Sequence, residues 1–176
     1  MKLSGAGVLL IKRFESLRLV SYQDAGSTYT IGWGATTYPD GSKVQANEKI
    51  TAQYADILLL HHIGVAMRAV DRLVEVPLTQ SQYDALVSFT YNVGGGNFAR
   101  SSLLRAVNQA PNNMPAINSA FLVWVTAKGK FYQGLENRRK AEISLYANGA
   151  NGTNSVLTFI GILIFLIIIS YYILSK

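Results

Sequence analysis

Phe14-Glu-Ser-Leu-Arg-Leu-Val-Ser-Tyr-Gln-Asp-Ala-Gly-Ser-Thr-Tyr-Thr-Ile-Gly-Trp-Gly34 is where the chain changes period. Before it, from Ser4 to about Leu17, apolar residues recur at helical spacing: Leu10, Phe14 and Leu17 share one face, Val8 and Ile11 another. Ser4 is a suitable N-cap for that helix. From Leu19 to about Val44 the pattern alternates, with Thr, Tyr, Ile, Val and Trp set between small residues. Asp24-Ala-Gly26 and Pro39-Asp-Gly41 are turn signals inside it, so a small antiparallel sheet of two or three strands is expected.

Outward from this stretch, helices dominate. Thr51 caps a long one through Leu58, Ile63 and Val70, with Pro77 beyond its end. Thr79 caps another, ended by Gly94-Gly-Gly96. Shorter helices follow over Ser102–Asn108 and Ala116–Val125, and a last one over Gly134–Tyr146. The fold class is α+β, mostly α: a small sheet lobe, a larger helical lobe and a cleft between them. At 176 residues and 49% hydrophobic, the chain holds one medium domain with a real core, and global disorder is excluded. No cysteine means no disulfide and no thiolate ligand or nucleophile.

Three residues of the opening stretch carry chemistry. Glu15 falls near the end of the first helix, where unsatisfied carbonyls disfavour an ionised carboxyl. A carboxyl held protonated is what a general acid needs. Asp24 lies in the first hairpin turn, a wetter place suited to a carboxylate. Period-two alternation puts Thr30, Gly32 and Gly34 on one face of the next strand, leaving room beside the Thr30 hydroxyl for a ligand. Each has an ordinary explanation alone: a surface acid, turn chemistry, a strand former. Together, two carboxyls in opposed environments and a hydroxyl that can position water fit glycoside hydrolysis.

The spacing Glu15, Asp24, Thr30, set within Leu-Arg-Leu-x-x-Tyr-x-Asp and Thr-Ile-Gly-x-Gly, resembles the phage-type lysozyme family of endolysins and muramidases. The resemblance continues through Leu78-Thr-Gln-Ser-Gln-Tyr-Asp-Ala-Leu-Val-Ser-Phe89, Asn92-Val-Gly94, Phe98, Ser101-Ser-Leu103 and Gly134-Leu-x-x-Arg-Arg139 with Glu142. It implies a lysozyme-like two-lobed fold that hydrolyses the β-1,4 bond between N-acetylmuramic acid and N-acetylglucosamine in bacterial peptidoglycan. It further implies Glu15 as general acid, Asp24 as second carboxylate and Thr30 as the residue that positions the attacking water. Arg138 matches the arginine that pairs with the acid, and Gly32 and Asn92 fall in the sugar cleft. Inversion of configuration is implied, with no metal and no cofactor. Ala35 departs from relatives that carry a His after the Gly-x-Gly strand. Two rival readings are a non-catalytic peptidoglycan-binding membrane module and a holin-like membrane protein.

Other features are weaker. His61-His62 are adjacent and point to different helix faces, which is not a zinc pair. Gly94-Gly-Gly96 lacks the Lys-Ser/Thr of a phosphate loop. Arg138-Arg-Lys140 is short and its helical spacing spreads the charges, so no specific nucleic-acid partner is expected. The net charge of +6 suits an anionic wall polymer or membrane surface.

The C-terminus is of another kind. No formal charge lies between Glu142 and Lys176, and Val156–Leu174 reads VLTFIGILIFLIIISYYIL. As a helix this stretch would rise about 28 Å, close to the roughly 30 Å of a hydrocarbon core. The expected organisation is a catalytic domain over 1–148, a flexible Gly/Asn linker over 149–155, a transmembrane helix over 156–174 and a tail at 175–176. The expected localisation is a single-pass membrane protein, of a host inner membrane or a virion membrane, acting on the periplasmic wall. Arg138, Arg139 and Lys140 outnumber Lys176 near the helix, which favours the domain on the cytoplasmic side. A separate holin that opens a path to the wall would resolve that conflict.

Overall fold

The computed structural model describes residues 1–24 and 27–149. The expected transmembrane helix, most of the linker and the tail lie outside these residues. Among the described residues, no helix is long and apolar enough to cross a membrane. Residue 149, expected in the linker, is still helical.

Helix α1 (Gly5–Phe14) begins where Ser4 caps it, the hydroxyl accepting from the Gly7 amide. It stops at Phe14, three residues short of the expected end, because Glu15 turns extended at φ −103° and ψ 122°. Strands β1 (Arg18–Gln23) and β2 (Tyr29–Gly32) then pair antiparallel, with Tyr22 opposite Thr30 and Gln23 opposite Tyr29. Single bridges join Val20 to Lys49 and Thr37 to Lys43, completing the small lobe.

The strand alternation fails after Ile31. Gly32 and Gly34 have φ of +63° and +90°, and the amides and carbonyls of Ile31 and Ala35 exchange bonds of 2.9 Å across the reversal. Trp33 therefore sits at the tip of a tight turn, and Thr30, Gly32 and Gly34 do not share a face.

Helix α2 (Ala52–Leu73) starts at its Thr51 cap and serves both lobes. Its Leu58 joins Ile31, Ala35 and Val44 in a small core, while Leu59, Ile63, Ala66 and Val70 join the large helical core. Helix α3 (Gln80–Val93) opens with a full capping box between Thr79 and Gln82. Nine consecutive residues of it, Gln82–Thr90, are buried, so it forms the axis of the helical lobe. Gly94 ends it at φ +84°, but Gly95 and Gly96 open a further short helix that turn-rich composition had concealed, α4 (Gly95–Arg100). Helices α5 (Ser102–Gln109) and α6 (Met114–Leu122) follow. The chain then leaves the expected helix at a 3₁₀ turn (Val123–Val125) and forms a second hairpin, β3 (Thr126–Ala127) with β4 (Lys130–Phe131). Helix α7 covers 133–149. Phe89 on α3 is the aromatic hub of the large core, edge-to-face with Phe98, Phe121 and Trp124 at 5.4–6.2 Å.

Candidate active site

The end of α1 carries Glu15 to the wall of a cavity of about 490 Å³, shared with Phe14, Asn92, Lys128, Tyr132, Leu135 and Arg138. Glu15, Asn92 and Arg138, far apart in sequence, are thereby brought together. Arg138 Nη1 donates to Glu15 Oε1 at 2.5 Å. The environment that reading the helix end alone suggested, a carboxyl facing backbone carbonyls, is replaced by a guanidinium.

That guanidinium is itself fixed. Arg138 is only 3% exposed; its Nε donates to Glu142 Oε1 at 3.2 Å and its Nη2 to the Ser88 carbonyl at 3.3 Å. Glu142, fully buried one turn along α7, also accepts from the Ser88 hydroxyl at 2.8 Å and pairs with Arg139 Nε at 3.0 Å. Arg139, fully buried too, donates to Asn92 Oδ1 at 2.8 Å and lies over the Phe89 ring at 4.8 Å. Burial pushes the Arg139 guanidinium down to about 10, opposed by Glu142, and pushes the Glu142 carboxyl up, opposed by Arg139 and Arg138. Both directions express the cost of placing charge out of water, which the pairing offsets. The helical spacing of Arg138, Arg139 and Lys140 does separate them: Lys140 is exposed, whereas Arg138 and Arg139 are buried. The signal for the network was in the chain: Arg138 and Glu142 stand at i, i+4, Arg139 and Glu142 at i, i+3.

On the sheet side the arrangement is looser. Asp24 closes the first hairpin: its Oδ1 accepts from the Thr28 amide at 2.9 Å, and its own amide donates to the Thr28 carbonyl at 2.9 Å. Ser27 sits at φ +64° in that turn. Thr30 is buried, its hydroxyl donating to the Thr28 carbonyl at 3.3 Å. Neither Asp24 nor Thr30 lines the 490 Å³ cavity. Tyr22 stands opposite Thr30 in the ladder. Burial raises the Tyr22 phenol, the negative charges of Glu15 and Asp24 raise it further, and Arg18 lowers it. Tyr22 is the tyrosine of the Leu-Arg-Leu-x-x-Tyr-x-Asp motif, for which no role was expected.

Gly32 is corrected. It is buried against α2, where a Cβ would meet Ala55 Cβ and Ile50 Cδ1 at 3.4 Å, and it lines no part of the cavity. Gly34 is the glycine at the acid: a Cβ there would stand 3.0 Å from Glu15 Oε2, and its φ of +90° excludes most side chains. A second cavity of about 190 Å³ begins at Gly34 and runs past Thr36, His62 and Tyr91.

A small sheet lobe and a helical lobe sharing α2, with a carboxyl at the end of the first helix gripped by a buried arginine, define the lysozyme class of fold. The phage lysozyme family model matches residues 12–142, and the chain belongs to that family. It is 40% identical over 162 residues to the endolysin of Bacillus phage PZA, covering 88% of this chain and 60% of that protein. It is 40% identical over 146 residues to the endolysin of Salmonella phage P22, covering 83% of this chain and 98% of that one. Among solved structures, the endolysin from Escherichia coli O157:H7 phage FAHEc1 superposes with a TM-score of 0.74 at 38% identity, over 83% of this chain and 93% of that chain.

Proposed function

We propose that the protein is a phage endolysin or virion-associated muramidase that lyses the bacterial wall. The reaction is hydrolysis of the β-1,4 bond between N-acetylmuramic acid and N-acetylglucosamine. Glu15 protonates the leaving glycosidic oxygen. Arg138 orients the Glu15 carboxyl and Asn92 offers a polar edge to the sugar. Asp24 and Thr30 hold the attacking water and answer the positive charge that develops on the ring. The Thr30 hydroxyl proton is committed to the Thr28 carbonyl, which leaves its oxygen lone pairs to accept from that water. No cofactor or metal has a part in this scheme.

The observation that carries the reading is the Glu15–Arg138 pair at the cavity wall, with its buried support from Glu142 and Ser88. A surface glutamate needs no such apparatus. Glu15→Gln keeps a hydrogen-bond acceptor for Arg138 and removes the transferable proton. It should leave the fold intact and reduce lysis of purified walls to below about 1% of wild type; lysis above that level refutes the assignment of the acid. Water attack opposite the acid inverts configuration, so the first-formed anomer should be α by NMR, and a first-formed β-anomer overturns inversion while leaving lysis standing.

The run 156–174 supplies the second half of the proposal, a membrane anchor whose linker holds the domain at an r.m.s. distance of about 13 Å from a bilayer. Membrane lipid is then a partner, as is a separate holin where the domain starts on the cytoplasmic face. Alkaline carbonate should leave the full-length chain in the membrane pellet; its release into the supernatant refutes the anchor.

A further inference from the structure

The Gly32–Ala35 reversal sets one wall of the acid's surroundings, and its tip residue is gripped from three helices. The Trp33 indole Nε1 donates to Asp56 Oδ1 of α2 at 2.8 Å. Lys12 of α1 lies 4.8 Å over the Trp33 ring and pairs with the same Asp56 oxygen at 2.7 Å. From α3, the Tyr91 hydroxyl donates to the Trp33 carbonyl at 2.6 Å, across 58 residues of sequence.

We infer that Tyr91 is a positioning residue for the acid: its hydroxyl fixes the Trp33–Gly34 peptide and so sets the backbone wall against which Glu15 Oε2 rests. The inference rests on the reading of Glu15 as general acid. The Glu15 carboxyl has two boundaries. Its Oε1 is held by Arg138, which the buried network fixes from the helical side. Its Oε2 faces Gly34, close enough that a Cβ would intrude to 3.0 Å. The position of that second boundary depends on the turn, and the peptide leading into Gly34 is the one that Tyr91 holds.

The direction of the bond excludes a rival role. A carbonyl can only accept, so the phenolic proton is committed to Trp33 and Tyr91 is not itself the proton donor to the sugar. Burial raises the Tyr91 phenol, the nearby negative charge of Glu15 raises it further, and Arg138 opposes both. The group therefore remains a donor wherever wall lysis would be measured. A displacement of about 1 Å at a reacting group can cost on the order of a hundredfold in rate. Loss of one of several anchors on the turn is expected to cost about tenfold.

The test compares two tyrosines in the full-length chain. Tyr91→Phe keeps the ring and loses the hydroxyl. Tyr146→Phe does the same at the foot of the helical core, where the hydroxyl donates to the Pro111 carbonyl at 2.9 Å. With soluble peptidoglycan oligosaccharides, at a temperature where melting curves show both variants folded, Tyr91→Phe should lower kcat about tenfold with KM within about twofold. Tyr146→Phe should leave kcat unchanged while lowering the melting temperature. Equal kcat in wild type and Tyr91→Phe, a rise in KM alone, or the same kcat loss in both variants overturns the inference. Should Tyr91→Phe fail to fold, Tyr91→Met decides, since it also removes the hydroxyl that holds the Trp33 carbonyl, with a flexible side chain that adapts to the partly buried site. It should lower kcat with KM held, and unchanged kcat there overturns the inference equally. An inactive wild type would instead refute the lytic function, so the two failures are distinguishable.

Discussion

The two walls of the proposed site are built on opposite principles. On the helical side, Glu15, Arg138, Glu142, Arg139, Ser88 and Asn92 form one connected set, with Arg138, Arg139 and Glu142 sealed from water. On the hairpin side, Asp24 sits in an exposed turn held by its own backbone and the Thr28 amide. β1 is exposed along nearly its whole length, whereas α3 is buried over nine consecutive residues. The difference matches the two tasks. A proton donor must meet one oxygen in one geometry, so its support is rigid and desolvated. A carboxylate that works through water tolerates an open loop and gains from solvent access.

The strongest way to break this comparison is to remove the charge at the centre of the rigid wall. Glu142→Gln is nearly isosteric, but it leaves Arg139 with no anionic partner and Arg138 with Glu15 alone. Removing one member of a buried ion set costs about 3–5 kcal/mol, because the remaining charge stays buried and uncompensated. Urea titration should show the unfolding free energy falling by that measure, with lysis lost alongside. An unfolding free energy within about 0.5 kcal/mol of wild type would mean that the network is incidental to stability.

The same contrast explains what could be read in the sequence. Three helix starts were legible because a cap is local chemistry: Ser4, Thr51 and Thr79 each accept the expected amide. The Glu15–Arg138 pairing followed from the family resemblance and stands in the structure. Burial of Arg139 and Glu142 was not legible, since residue type says surface for both; the Phe89 ring under Arg139 and the Ser88 hydroxyl on Glu142 are tertiary contacts. Alternation puts Thr30, Gly32 and Gly34 on one face because it assumes that the strand continues, and two positive φ values end it. The bond from Tyr91 to the Trp33 carbonyl spans 58 residues, and no short spacing encodes it. The β3–β4 hairpin was hidden because Val123-Trp-Val125 continues an apolar helical pattern while the backbone departs from it at Trp124.

A second substitution sharpens the comparison on the open wall. Asp24→Asn keeps an oxygen to accept the Thr28 amide and discards the charge, while Asp24→Ala discards both. If the carboxylate answers charge at the sugar, Asp24→Asn should lose about ten- to a hundredfold in lysis, or about 1.4–2.8 kcal/mol of barrier, with stability nearly unchanged. Asp24→Ala should lose as much activity and about 1 kcal/mol of stability in addition, through the lost turn bond. Wild-type lysis by Asp24→Asn would reduce Asp24 to a turn former and leave the chemistry to Glu15 and Thr30.

The smallest expected effect concerns the seam between the lobes. His62 on α2 donates from Nε2 to the Thr37 carbonyl at 2.9 Å, tying the helix to the small lobe beside the Gly34 cavity. Its pKa lies below the ordinary 6.5: burial lowers it, the Thr37 carbonyl pulls it back up, and the adjacent His61 lowers it again. A folded-state pKa that is depressed means the unfolded chain takes the proton first. The His62 contribution is therefore complete above about pH 6.5 and declines as pH falls from there towards the folded-state pKa. His62→Gln retains a donor for Thr37 and removes the titration. Denaturant midpoints measured from about pH 7.5 to 5.5 should fall more steeply for wild type than for His62→Gln, every other titrating group being common to both. Parallel curves would show that protonation of His62 is not coupled to folding, and the seam would then owe its stability to Leu58 and the two cores alone.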